Sequence, residues 1–278
     1  MNFIKYSTAG KDYIYLTDEK AFRNISELDI KALCDRHNGI GADGIFAVYQ
    51  KSPKNGIITG FTQNGELLHD HSSASICAAF ALNSTKSFKE QEFTYQNRDI
   101  FTVISDFYTS SPLITADLKK AADNAFSDYI CRRTELGNRI LTLTAIDLHS
   151  LYAVHFSENK ASLDIGYLGQ KISSNSQFNK KAGLILAQKT DKNTFEIDYY
   201  ENKSGNPRPV ISAFAATALA ACKTENAVYG EEIKVSCNNS QVFIYCKEDG
   251  SAVTQCTAKR ICSGSFDKRE YLLKIPVC

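Results

Sequence analysis

The stretch Ser72-Ser73-Ala74-Ser75-Ile76-Cys77-Ala78-Ala79-Phe80-Ala81-Leu82 is built almost wholly from small and apolar residues and offers no polar face. A helix of that composition is buried on all sides. It has a counterpart in Ser212-Ala213-Phe214-Ala215-Ala216-Thr217-Ala218-Leu219-Ala220-Ala221. Each follows a β-type run and a polar turn: one run ends near Phe61 and leads into Gln63-Asn64-Gly65, the other ends near Tyr200 and leads into Ser204-Gly205-Asn206. Strand, turn and small-residue helix therefore occur twice, as an internal duplication requires. Small side chains let the surrounding strands approach closely. The expected fold is α/β of the α+β kind, with two pseudosymmetric domains, each a curved, mostly antiparallel sheet wrapped around a central helix. The domains are expected at residues 1–115 and 116–265, with 266–278 a C-terminal strand packing on the first, and the helices are expected to begin near Ser72 and near Val210. Their first turns carry free N–H groups and positive dipole ends, which makes each a site for an anion.

Working outward, Met1 to Leu16, Phe93 to Tyr108 and Arg139 to Phe156 alternate β-branched or aromatic residues with polar ones and read as strands. Phe195 to Tyr200, Glu232 to Ser236, Gln241 to Lys247 and Val253 to Ile261 read the same way, and Ile25 to His37 has helical spacing that runs into Asn38-Gly39. Among 278 residues, 32 Lys and Arg against 31 Asp and Glu leave a formal charge of +1, so no global field gathers nucleic acid or an anionic membrane, and neither is an expected partner. Met1 to Leu16 has no continuous apolar core or basic flank, and no run of ~18 apolar residues occurs. A cytoplasmic protein is expected. The nine cysteines show no CxxC spacing, so the reading is of reduced thiols serving as small core residues.

The segment Leu33-Cys34-Asp35-Arg36-His37-Asn38-Gly39-Ile40-Gly41-Ala42-Asp43-Gly44 resembles the D-R-H-x-G-I-G-A-D-G signature of the diaminopimelate epimerases. The resemblance spans the chain: Met1 to Asp12 is similar to the family opening M-x-F-x-K-x-x-G-x-G-N-D, and Thr254 to Phe266 to its closing T-G-P-A-x-x-V-F-x-G. It implies two pseudosymmetric domains with a cleft between them. It also implies a racemisation without pyridoxal phosphate or any other cofactor, in which one cysteine per domain, at the start of each small-residue helix, moves the α-proton. Here Asn64 to Cys77 matches D-G-S-x-x-x-M-C-G-N-G-A-R-C, which places His71 on the first catalytic cysteine and Cys77 on a later, structural one. Glu201 to Ala213 matches E-R-G-x-G-E-T-x-A-C-G-T-G, which places Val210 on the second.

The same matching assigns the ligand-binding positions. The G-N-D asparagine is Lys11, the asparagine before A-D-G is Thr62, and G-N-P-H appears as His149-Ser150-Leu151-Tyr152. The asparagine of F-P-x-x-x-N-V is Gly183 and the arginine of E-R-G is Asn202, while Gly10, Asp12 and Glu201 are retained. The helix starts add Ser72, Ser73, Ile211 and Ser212 as expected lining residues. A valine has no proton to give and no lone pair, so two-base epimerisation does not run here as in the family.

Several residues carry more than one reading. His69-Asp70-His71 is open to metal binding with His149 as a further ligand, to acid or base chemistry by His71 or Asp70, and to helix capping by Asp70, Ser72 or Ser73, the last being the simplest. No metal is expected. Pro207 and Pro209 suit a first helical turn, and Arg208 between them reads as a surface residue. Lys11 is either a ligand for a carboxylate or phosphate or a solvated lysine. Asp35-Arg36-His37 and Gly39 to Gly44 read as structural. Two functional classes remain. The favoured one is a non-catalytic relative of the diaminopimelate epimerases, a binding, regulatory or assembly protein whose ligand is a small amino acid or carboxylate. The other is a cofactor-independent isomerase of an amino acid or organic acid, of the lysine-biosynthesis kind, with His71 or Asp70 as its base. The family resemblance implies a homodimer.

Overall fold

The computed structural model describes residues 1–95, 98–105, 111–119, 129–148, 150–178, 182–201 and 208–267. The chain forms two compact units, one of Met1–Thr115 with Thr257–Cys278 and one of Ala116–Cys256.

In the first unit the elements are β1 (Asn2–Thr8), β2 (Lys11–Leu16), α1 (Glu19–Arg23), α2 (Glu27–Cys34), β3 (Gly44–Gln50), β4 (Asn55–Thr62), α3 (Ser72–Lys86), β5 (Glu90–Tyr95), β6 (Arg98–Ile104) and the start of β7 (Leu113–Leu118). Strand β7 carries the chain into the second unit. There follow β8 (Arg132–Leu136), β9 (Arg139–Asp147), β10 (Leu151–Phe156), α4 (Ile165–Ser174), β11 (Gly183–Asp191), β12 (Thr194–Tyr200), α5 (Ile211–Lys223), β13 (Glu232–Cys237), β14 (Ser240–Cys246) and β15 (Ala252–Ser265). The chain returns to the first unit within β15, whose later residues pair with β1 from Thr8↔Ala258 to Asn2↔Ser265. The expected strand 266–278 lies, beyond residue 267, outside the described residues.

The duplication is written in the strand pairing. From β1 to β6 successive neighbours run antiparallel, parallel, antiparallel, parallel, antiparallel. From β9 to β14 the same five pairings recur in the same order. The small-residue helix enters at the same point in each half, between the fourth and fifth strands of the series, as α3 and as α5. A parallel pairing needs a crossover connection, and these helices supply it. Helix α3 packs against β1, β2, β4, β5 and β6, and α5 against β9, β10, β11, β13 and β14. Every residue from Ile211 to Cys222 is buried, as a helix lacking a polar face demands. A second layer lies on the other face of each sheet: Ile14, Leu16 and Ile45 pack with Phe22, Ile30 and Leu33 of α1 and α2, and Leu184 and Leu186 pack with Leu168 and Ile172 of α4.

Local differences from the sequence reading have local causes. Met1 to Leu16 is two strands, turned at Ala9 and Gly10, both at positive φ. The helix expected over Ile25 to His37 starts on a capping box of Ser26 and Asp29 and stops at Cys34. Asp35 ends it by accepting the backbone N–H groups of His37 and Asn38 at 2.8 and 2.6 Å, bonds that replace helical ones. Arg139 to Phe156 is likewise the hairpin of β9 and β10. Parts of the run Phe93 to Tyr108, at 96–97 and 106–108, lie outside the described residues.

Candidate functional site

Both small-residue helices begin as the sequence implies, and their first turns are closed off from solvent. Helix α3 takes His71 as its N-cap, with the side chain 1% exposed and not used in capping. Asp70 performs that task from one residue earlier. Its Oδ1 accepts from the Ser72 N–H at 2.8 Å and from the Ser72 hydroxyl at 2.6 Å, satisfying one of the free donors of the first turn. Ser72 and Ser73 are fully buried beside it. His69 is exposed while His71 is buried, so the two imidazoles do not share an environment. Among the described residues no group of three His, Cys, Asp or Glu side chains is placed to hold a metal.

Helix α5 takes Val210 as its N-cap in extended conformation, with no side-chain cap. Val210, Ile211 and Ser212 are all buried. The Ser212 hydroxyl lies 2.6 Å from the Tyr152 hydroxyl of β10, which fixes the first turn of α5 to the strand beneath it. Arg208 is exposed, as read from the sequence, and Pro209 is buried. Asn202, His149 and Pro207 lie outside the described residues.

The remaining candidates occupy equivalent places in the two repeats. Tyr13 of β2 pairs with Gly44 at the start of β3, and Tyr152 of β10 pairs with Gly183 at the start of β11. Lys11 and Ser150 each lie two residues before those tyrosines. Gly183 is closely packed: a Cβ there would stand 3.2 Å from the Tyr200 carbonyl oxygen and 3.3 Å from the Tyr199 ring. Thr62 closes the turn after β4: its N–H donates to the Glu66 carbonyl at 2.7 Å and its hydroxyl accepts from Asn64. Ser150 accepts through its carbonyl from Leu148, and Glu201 is half-buried just past β12. Lys11 is 7% exposed.

The signature segment forms an ionic lattice that ties three elements together. Arg36 grips Asp12 and also reaches Asp43 Oδ1 at 3.1 Å. Asp12 and Asp43 then exchange backbone bonds, each carboxylate accepting the other residue's N–H at 3.0 Å. Lys5 completes it, 3.0 Å from Asp12 Oδ2 and donating to the Gly41 carbonyl at 2.5 Å. Burial alone would raise the Asp12 carboxyl, but hydrogen bonds from Arg36, Asp43 and Lys5 outweigh it and hold the group well below the usual range. Burial pushes Asp43 the other way, against the pull of the Lys11 ammonium. The same burial, with Asp12 and Asp43 adding to it, takes the Cys34 thiol up to about 12. The role of Lys5 was not read from the sequence, because its partners lie 7 and 36 residues away.

Two cavities, of about 580 and 310 Å³, lie away from both helix starts. The larger is lined by polar residues including Arg133, Glu135 and Gln177, the smaller by Phe22, Tyr49 and Phe61 among others. No helix among the described residues is long and apolar enough to cross a membrane. The eight described cysteines form no disulfide; Cys131 and Cys262 are exposed and the other six buried.

No family model matches the chain. It is 22% identical over 237 residues to diaminopimelate epimerase 1 of Nostoc sp., covering 81% of this chain and 85% of that protein. Among solved structures it is similar to a predicted epimerase from Pseudomonas aeruginosa, at a TM-score of 0.70 and 12% identity over 95% of this chain and 98% of the other. It is also similar to a probable proline racemase from Agrobacterium radiobacter, at a TM-score of 0.66 and 12% identity over 96% and 93%. The chain has the diaminopimelate-epimerase fold, in two mixed halves of sheet and central helix, and resembles that family over most of its length.

Proposed function

We propose that this chain is a non-catalytic relative of the diaminopimelate epimerases that binds a small amino acid or carboxylate and acts as a binding or regulatory protein. The observation that carries this reading is the pair of residues at the helix starts, His71 and Val210. These are the positions the family motifs give to the two proton-transfer cysteines. Val210 transfers no proton, and function follows the site rather than the fold. The positions matched to substrate contacts support the same reading. Gly183 offers no side chain, Thr62 closes a turn, and Ser150 lacks the amide of the asparagine it is matched to. Asp70 is bound to Ser72, which leaves it poorly suited to act as a base.

A second reading keeps one base. The His71 side chain takes no part in capping although it stands at the N-terminus of α3, and an imidazole is a side chain able to accept a proton. Deuterium incorporation at the α-carbon of diaminopimelate in heavy water separates the two. The purified protein is expected to show no exchange above background, with an intact epimerase as positive control. Exchange that disappears in His71→Ala would make His71 the base of a working isomerase and end the non-catalytic reading.

A further inference from the structure

Strand β8 stands at the end of the sheet order: among the described residues it is hydrogen-bonded along one side only, to β9. Its register with β9 fixes which backbone groups are left over. The hairpin closes on the pair Leu136↔Arg139 around Gly137 and Asn138, so Leu136, Thr134 and Arg132 turn their N–H and C=O groups towards β9. Those of Arg133 and Glu135 point away from it, along the open side. Such an edge is a template for another strand, and β8 carries neither a proline nor a bulge to spoil it. The cavity of about 580 Å³ lies along the same edge, with Arg133, Thr134 and Glu135 on one side and Ser174 to Gln177 at the end of α4 on the other.

The side chains of β8 divide between two faces. Thr134 and Leu136 turn inwards: the Thr134 hydroxyl lies 2.6 Å from that of Tyr129, and Leu136 packs with Leu168 and Ile172 of α4. Arg133 and Glu135 take the opposite face and are exposed, and neither has an ion pair among the described residues. Opposite charges two residues apart on an open edge are complementary to a copy of themselves. With two copies antiparallel about a two-fold axis at Thr134, Arg133 of each faces Glu135 of the other, and these are the residues whose backbone groups are left to bond. Sliding the pairing by two residues either way sets Arg133 against Arg133 or Glu135 against Glu135, so the charges select one register.

We propose that β8 is the docking edge for a second copy of this chain, joined edge to edge in a continuous sheet with Arg133 and Glu135 as the reciprocal charge pair. A strand of 5 residues makes a small contact, so the dimer forms with rising concentration and is not permanent.

The test is sedimentation velocity of the full chain from low micromolar to near-millimolar concentration, at low ionic strength. Wild type is expected to pass from monomer to dimer across that range. Arg133→Glu and Glu135→Arg each set like charges face to face, and each is expected to raise the dissociation constant at least about tenfold. Combining the two restores opposite charges with the signs exchanged, and should bring the constant back to within about threefold of wild type. Both positions are exposed, so all three variants should melt with wild type. Amide hydrogen exchange supplies a reading that needs no variant: the N–H groups of Arg133 and Glu135 should slow as concentration rises, while that of Thr134, already bonded to β9, should not. A chain that stays monomeric throughout, a dimer indifferent to either single reversal, a double reversal as weak as the singles, or unchanged exchange at Arg133 and Glu135 would each overturn the proposal. None of these outcomes bears on α-proton exchange, so this interface and the non-catalytic reading fail separately.

Discussion

Arg36 holds both carboxylate oxygens of Asp12 at once, its Nη1 3.0 Å from Oδ2 and its Nη2 2.7 Å from Oδ1. Such a two-pronged pair is stronger and more directional than a single contact. The residues are 24 apart in sequence, so the pair fastens the end of α2 to the start of β2. The family signature is explained here as a structural clasp.

Asp12→Ala is expected to destabilise the protein by roughly 2 kcal/mol at neutral pH, less than the ~3–5 kcal/mol of a fully buried pair because Arg36 is half in solvent. The folded protein holds the Asp12 carboxyl below its unfolded value of about 3.9. Its contribution is therefore complete above that value and is lost as pH falls through the folded one. Denaturant melts of wild type and variant should differ by a constant amount above about pH 5, and the difference should begin to narrow below about pH 4 and vanish only well under the ordinary carboxylate range. Asp43, pushed up by burial and also by Asp12 beside it, works in the opposite direction, so the difference between the two proteins reports the Asp12–Asp43 pair together.

Gly39→Ala should cost about 3 kcal/mol. A Cβ at Gly39 would stand 2.8 Å from the Leu33 carbonyl oxygen and 2.9 Å from that of Asp35, and backbone cannot swing aside as a long side chain can. A denaturant midpoint within error of wild type would show that this turn relaxes more easily than its contacts indicate.

Cys131 and Cys262 are expected to react rapidly with an aromatic disulfide reagent at mild alkaline pH, in a Cys278→Ser background. Burial takes the thiols of Cys34 and Cys237 up to about 12 and about 11, so these should react only as fast as the protein opens. Replacing Cys131 and Cys262 by serine should abolish the fast phase.

Restoring two thiols by His71→Cys with Val210→Cys is expected not to create an epimerase. Both positions are buried, and the positions matched to the substrate-holding residues of the family carry other side chains. Misplacement of a substrate can itself cost ~100-fold or more. Measurable α-proton exchange by the double variant would show that the two positions alone separate this chain from an active enzyme.

The amino-acid sequence by itself determined the doubled architecture, because a helix of alanines and serines without a polar face has nowhere to go but inside. Strand alternation and the glycines of Gly39 to Gly44 were legible for similar reasons, each being a local steric or periodic requirement. Helix α4 went unread, though Asp164 caps it and Leu168 and Ile172 mark its buried face. The early stop of α2 also escaped, since Asp35 competes for backbone donors that a periodicity argument assigns to the helix. Only the tertiary structure decided that His71 and Val210 are enclosed and that Lys5, Asp12, Arg36 and Asp43 form one lattice. Periodicity tells which face a side chain takes, but the charge it meets there comes from strands and helices distant in the chain.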